Sequence, residues 1–148
     1  MPSQIKVDEI KNVAGQYKIK TNVFEGQTTA GSITVQGEGT ATTNLQQGLA
    51  KAWITFAGAG TSINDSLGMS SLGDDATGKY TITMSSAMGN TNYSVSFGIQ
   101  EFGTQNNHAT VLRSDVAITT TVFGVATYSS GTYQDVTLVY EKIHGDLA

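Results

Sequence analysis

Gly48-Leu49-Ala50-Lys51-Ala52-Trp53-Ile54-Thr55-Phe56-Ala57-Gly58 is the stretch that decides the fold. Ala50, Ala52, Ile54 and Phe56 alternate with Lys51, Trp53 and Thr55, the period-two pattern of a half-buried strand. One face is apolar. The other carries the only tryptophan beside a lysine. Such a face suits a subunit interface, where aromatic residues are enriched; the alternative for Trp53 is to cap an edge of the fold. Gly58-Ala59-Gly60 then forces a turn.

Downstream, the same pattern recurs. Thr61 to Met69 is a poorer strand, with Ile63, Leu67 and Met69 against Ser62, Ser66 and Gly68. Gly73-Asp74-Asp75-Ala76-Thr77-Gly78 reads as a turn. Tyr80, Ile82 and Met84 alternate with Thr81, Thr83 and Ser85. Tyr93, Val95, Phe97 and Ile99 alternate with Ser94, Ser96, Gly98 and Gln100, the clearest strand in the chain. Gly103 to His108 is a polar loop, and Ala109 to Arg113 a short strand. Val116 to Tyr128 is apolar on both faces through Ile118, Val122, Phe123 and Val125, as in a strand covered on both sides. Ser129-Ser130-Gly131 turns the chain. Val136, Leu138 and Tyr140 then alternate with Asp135, Thr137 and Glu141, and Gly145 to Ala148 reads as a frayed end. About seven short strands with frequent turns and no helical period predict an antiparallel sandwich or small jelly-roll-like barrel over residues 47–148.

Upstream, residues 1–46 read as an arm. Ile5 and Val7 alternate with Lys6 and Asp8; Tyr17, Ile19 and Val23 oppose Lys18 and Lys20. Ile5, Val7, Ile10, Tyr17 and Ile19 are the docking contacts expected when such an arm adds strands to a neighbour. Glu25 to Gln47 is Gly-, Thr- and Gln-rich and offers only Ile33, Val35 and Leu45 as apolar contacts, too few to fold alone.

Composition narrows the function. Charged residues make up 14 % of the 148 residues and the net charge is −4. The eight Lys and Arg are scattered, whereas nucleic-acid binding needs a basic patch. The chain has no cysteine, so disulfides, zinc–thiolate sites and cysteine nucleophiles are excluded. Met1-Pro2-Ser3-Gln4 leads into charged residues without the apolar core of a signal peptide, and no run approaches the ~20 apolar residues of a membrane helix. The expectation is a soluble protein made in a cytoplasm, without membrane insertion.

Catalytic patterns do not emerge. His108 and His144 fit no H-E-x-x-H spacing. Asp74-Asp75 offers paired carboxylates to a calcium ion, but the EF-hand spacing is missing and a polar turn is the better reading. No G-x-S-x-G elbow occurs, and Gly37-Glu38-Gly39 and Gly58-Ala59-Gly60 lack the third glycine of a dinucleotide loop. No catalytic residue, metal ligand or cofactor is assigned, and the chain is read as a non-enzyme.

Several segments have a family likeness. Leu49-Ala50-Lys51-Ala52-Trp53-Ile54-Thr55-Phe56-Ala57-Gly58-Ala59-Gly60-Thr61 resembles a "KAW(V/I)xFxGxGT" segment of tail-fibre-like virion proteins of tailed bacteriophages, of the marine and cyanobacterial phage type. Asp65 to Ser71, Asp75 to Met84 and Met88 to Val95 resemble the segments that follow in those proteins, and Gln4 to Ile10 resembles their "LKVDxI" opening. The likeness covers Gly48 to Val95 and stops before Gly98. It implies a virion component, commonly trimeric, that docks through its N-terminus and points its β head outward. The expected function is therefore a short tail fibre or fibre-associated protein for host attachment, assembled in the host cytoplasm with other virion proteins. A capsid decoration or cement protein is the alternative, and a glycan-degrading enzyme a more distant one. Trp53 and Phe123 are the expected oligomer contacts. Gln105, Asn106, Asn107, Tyr128 and Tyr133 are the candidate contacts to a host glycan or protein.

Overall fold

The structure is a computed structural model that describes residues 33–36, 40–60, 62–101 and 107–148. The expected arm contacts Ile5, Val7, Ile10, Tyr17 and Ile19 lie outside these residues, as do Gln105 and Asn106. The segment expected to be a linker contains a small hairpin. Here β1 (Thr34–Gln36) pairs with β2 (Thr42–Asn44), and a helical turn, α1 (Leu45–Gly48), follows. The Leu45 amide closes this unit by donating to the Ile33 carbonyl at 2.8 Å.

Nine further strands follow: β3 (Ala52–Phe56), β4 (Ile63–Leu67), β5 (Met69–Ala76), β6 (Lys79–Met84), β7 (Ser94–Gln100), β8 (His108–Leu112), β9 (Val122–Ser129), β10 (Thr132–Tyr133) and β11 (Leu138–His144). All their ladders are antiparallel. One sheet has the order β4-β3-β11-β7. The second runs β5-β6-β9, with both β8 and β10 on β9. β8 and β10 each pair with Tyr128 and Ser129, so they occupy opposite edges of β9. The described residues are therefore all-β apart from the single turn of α1, as the alternation predicts.

Both sheets face one core. Ala52, Ile54, Phe56, Val139 and Ile143 come from the first sheet; Tyr80, Ile82, Met84, Phe123 and Val125 come from the second. Phe56 and Tyr80 meet edge to face with ring centroids 5.0 Å apart, a preferred geometry for aromatic pairs. The strict in–out alternation of burial along β3 and β6 is the physical expression of the sequence pattern.

β9 is buried on both faces, and one cover is its own upstream chain. Phe123 and Val125 point into the core. Gly124 points outward but lies under Val116, where a Cβ would come within 2.7 Å of the valine Cβ. The Arg113 amide donates to the Gly124 carbonyl at 2.9 Å and the Thr119 amide to the Val122 carbonyl at 2.9 Å. Val116 is thus a cover across the strand, and β9 itself begins at Val122.

Four other expectations need correction. Gly73 to Ala76 belongs to β5, and the turn contracts to Thr77-Gly78. Register shifts at Met69/Ser71 and Asp74/Ala76 let the polar stretch bulge within an edge strand. The phase of β11 is inverted: Val139, Glu141 and Ile143 point inward, and Tyr140 and Lys142 outward. Phe123, expected at an oligomer interface, has no exposed surface; its ring packs at 6.3 Å from that of Tyr93. Finally, the end after Gly145 is tied down: Gly89 N donates to Asp146 O at 2.7 Å and Ala148 N to Ala87 O at 3.0 Å.

Candidate functional site

The outer face of the second sheet carries the most organised set of polar and aromatic side chains. It starts from the β9–β10 hairpin. Ser130 (φ 50°) and Gly131 (φ 82°) are both left-handed, as a two-residue hairpin turn with the twist of its strands requires. That turn places Tyr128 opposite Tyr133, with ring centroids 4.5 Å apart and planes inclined at 31°. A hydrogen bond to Tyr133 raises the pKa of the Tyr128 hydroxyl. Lys79, in register with Ala126 on the neighbouring strand, sets its Nζ 4.4 Å from the Tyr133 ring centroid, a cation–π contact.

Beyond Lys79 the face is a chain of charge pairs. Lys79 Nζ stands 3.5 Å from Asp115 Oδ2. Arg113 grips the same carboxylate with a two-pronged fork, Nε to Oδ1 at 2.9 Å and Nη2 to Oδ2 at 3.0 Å. Its Nη1 donates to Asp75, which also accepts from the Thr81 hydroxyl at 2.6 Å. The Arg113 side chain is only 8 % exposed, so this is a guanidinium held under the surface by two carboxylates. Its hydrogen bonds hold the Asp115 carboxyl down at about 2. Asp75 is lowered chiefly by the Thr81 hydroxyl, with Arg113 adding to it. Asp75 is thus engaged by an arginine and a threonine, not left open to a cation. No group of three metal-type side chains occurs among the described residues.

Asn107 sits at the same corner, where its carbonyl accepts from the Ser130 amide at 3.0 Å. The structure therefore brings together three of the expected contact residues, Asn107, Tyr128 and Tyr133. Tyr133 remains 41 % exposed. Lys79, Arg113, Asp115 and Asp75 were not foreseen as a group, because their adjacency is made by β5, β6 and the crossing chain after β8.

The outer face of the first sheet holds Trp53. It is half-buried, with Leu67 and Lys142 as its cross-strand neighbours. Tyr140 lies over Gly98, where a Cβ would stand 3.6 Å from the tyrosine Cδ2, and its hydroxyl donates to Gln100 Oε1 at 2.7 Å. Trp53 faces outward.

Glu141 is the conspicuous buried acid. It is 1 % exposed, its cross-strand neighbours are Ile54 and Phe97, and neither carboxyl oxygen has a hydrogen-bond partner among the described residues. Burial alone pushes its pKa up to about 9, so at neutral pH it sits in the core as the uncharged acid. Among the described residues, His108 has no hydrogen-bond partner for either ring nitrogen. His144 lines a surface hollow of about 310 Å³ with Asn90, Asn92, Tyr93, Ser94 and Asp146.

No family model, curated protein or solved structure matches this chain.

Proposed function

We propose that the protein is a structural component of a tailed-bacteriophage particle, a short tail fibre or fibre-associated protein. In this reading it docks through residues 1–46, assembles as a homotrimer, and presents residues 47–148 outward for host attachment. The observation that carries the reading is the placement of the stacked Tyr128–Tyr133 pair. Tyr133 is exposed and Tyr128 half-buried on a two-residue hairpin next to Asn107, in the part of the chain that the phage likeness does not cover. Of the residues that carry the likeness, Gly48 to Val95 become β3 to β6 and the approach to β7: β3 and β6 supply core residues, and β4 and β5 are edge strands. A scaffold with a separate, aromatic contact corner is what an attachment protein needs. Tyrosines supply rigid contact area at small entropic cost, and the amide and lysine beside them supply hydrogen bonds to a sugar or peptide. Trp53 on the opposite sheet is the subunit contact.

The test is gold labelling of intact particles with an antibody against the whole chain, followed by adsorption assays with the purified protein as competitor. Label at the tail and competition that weakens on Tyr133→Ala are expected. Label spread over the shell would move the protein to capsid decoration, and no label on any particle would end the phage reading.

A further inference from the structure

Four long strands, β4, β5, β7 and β8, each pair on one side only among the described residues. Free edges invite pairing with another chain, and natural sheets blunt or cover them. The four differ in charge and in shape. β7 and β8 carry no carboxylate. β5 carries Asp74 and Asp75, but it is bulged twice, and Asp75 is already held by Arg113 and Thr81. β4 is the open one. Its Ile63 is 41 % exposed and its Leu67 53 %. Between them Asp65 accepts, among the described residues, only from the next amide, Ser66 N, at 2.8 Å.

The charges of the two parts of the chain are complementary. Residues 1–24 hold four lysines, Lys6, Lys11, Lys18 and Lys20, against Asp8 and Glu9. Residues 47–148 hold eight carboxyl groups against Lys51, Lys79, Arg113 and Lys142. Within the first part, Gln16-Tyr17-Lys18-Ile19-Lys20-Thr21-Asn22-Val23-Phe24 alternates Tyr17, Ile19 and Val23 with Lys18 and Lys20.

We infer that residues 16–24 of a second copy of this chain add as a strand to the free edge of β4. This rests on the assembly reading above and names the surface that assembly uses. Ile63 is in register with the core residue Phe56, whereas Asp65 and Leu67 are in register with the outward Thr55 and Trp53. An added strand in the matching phase sets Ile19 over Ile63, with Tyr17 and Val23 on the same face along it, extending the core. It sets Lys18 and Lys20 beside Asp65 on the outer face, where opposite charges on neighbouring strands attract. The main-chain ladder supplies affinity, and the lysine–aspartate match selects β4 over β7 and β8.

The chain has no cysteine, so introduced thiols report cleanly. Full-length protein bearing Ile19→Cys is mixed with full-length protein bearing Ile63→Cys under mild oxidation, and amide exchange across β4 is followed in parallel. The expected results are a disulfide between the two species and protected β4 amides. Lys18→Glu with Lys20→Glu should speed β4 exchange about tenfold, and adding Asp65→Lys should restore it. An oligomer that forms no mixed disulfide, and whose β4 exchange ignores the lysines, overturns this inference and leaves assembly standing. A chain that is monomeric at micromolar concentration overturns both.

Discussion

Replacing Glu141 by glutamine should change how stability depends on pH more than it changes stability itself. Glutamine keeps the shape and the uncharged state at every pH. Wild-type Glu141 titrates, from an ordinary 4.5 when unfolded to about 9 when folded. Between those values the folded chain carries one proton more than the unfolded chain. Its contribution is therefore complete below about pH 4.5 and is lost as pH rises, by about 1.4 kcal/mol per unit, until it levels off near 9. From pH 5 to pH 8 the loss relative to the glutamine variant reaches about 4 kcal/mol. That is an upper bound, since water entering beside the ionised carboxylate recovers part of it. It is nonetheless a large share of the 5–15 kcal/mol that holds an ordinary domain together. Urea denaturation followed by Trp53 fluorescence measures it, because Trp53 is the only tryptophan and adjoins Ile54, the cross-strand neighbour of Glu141. Every other titrating group is common to both proteins and cancels in the difference. A gap that widens by more than about 2 kcal/mol between pH 5 and pH 8 meets the reasoning. A gap that stays flat across that range would refute it, and would mean that the carboxyl is solvated or paired.

Three further outcomes follow from the same geometry. Ser130→Asn should stabilise by about 0.5–1 kcal/mol, because asparagine tolerates the left-handed φ of 50° better than serine does; a thermal midpoint raised by about 2–4 °C checks it. Gly78→Ala should cost about 3 kcal/mol in denaturant titration, since at φ +65° a Cβ would lie 2.6 Å from both Thr127 O and Gln134 N. Arg113→Lys keeps the charge but loses the fork on Asp115. The depressed Asp115 carboxyl favours the folded chain above its ordinary range, an advantage lost as pH falls toward about 2. In the lysine variant a carbon-13 titration of Asp115 should move up toward 3.8.

The strands easiest to read were those whose outward positions are polar. Tyr80, Ile82 and Met84 declare their face because threonine separates them, and Val95, Phe97 and Ile99 declare theirs because serine, glycine and glutamine alternate with them. β11 was misread for the same reason in reverse: Glu141 points inward, so the rule that places charge outside assigned the wrong phase to the whole strand. Gly73 to Ala76 looked like a turn because bulges and a side-chain network are needed to hold aspartates in a strand, and neither is visible in a linear sequence. Phe123 was assigned to an interface and belongs to the core, because both environments select a large aromatic residue and only the fold separates them. At the candidate site, Tyr128 and Tyr133 were legible as hairpin flanks. The Arg113 fork was not, because it joins residues that meet only after the sheet has formed.

β11 lies between β3 and β7, and β9 between β6 and β8. Each sheet is thus completed by a central strand that comes later in the sequence than the neighbours it joins. During synthesis β3 and β7 can be present for many residues with no partner between them. The first sheet therefore cannot close until Leu138–His144 has emerged from the ribosome, and pairings this distant in sequence form slowly. A chain interrupted between β7 and β11 exposes two unpaired inner edges and an open core. A truncated copy therefore never acquires the closed first sheet or the core that the two sheets share.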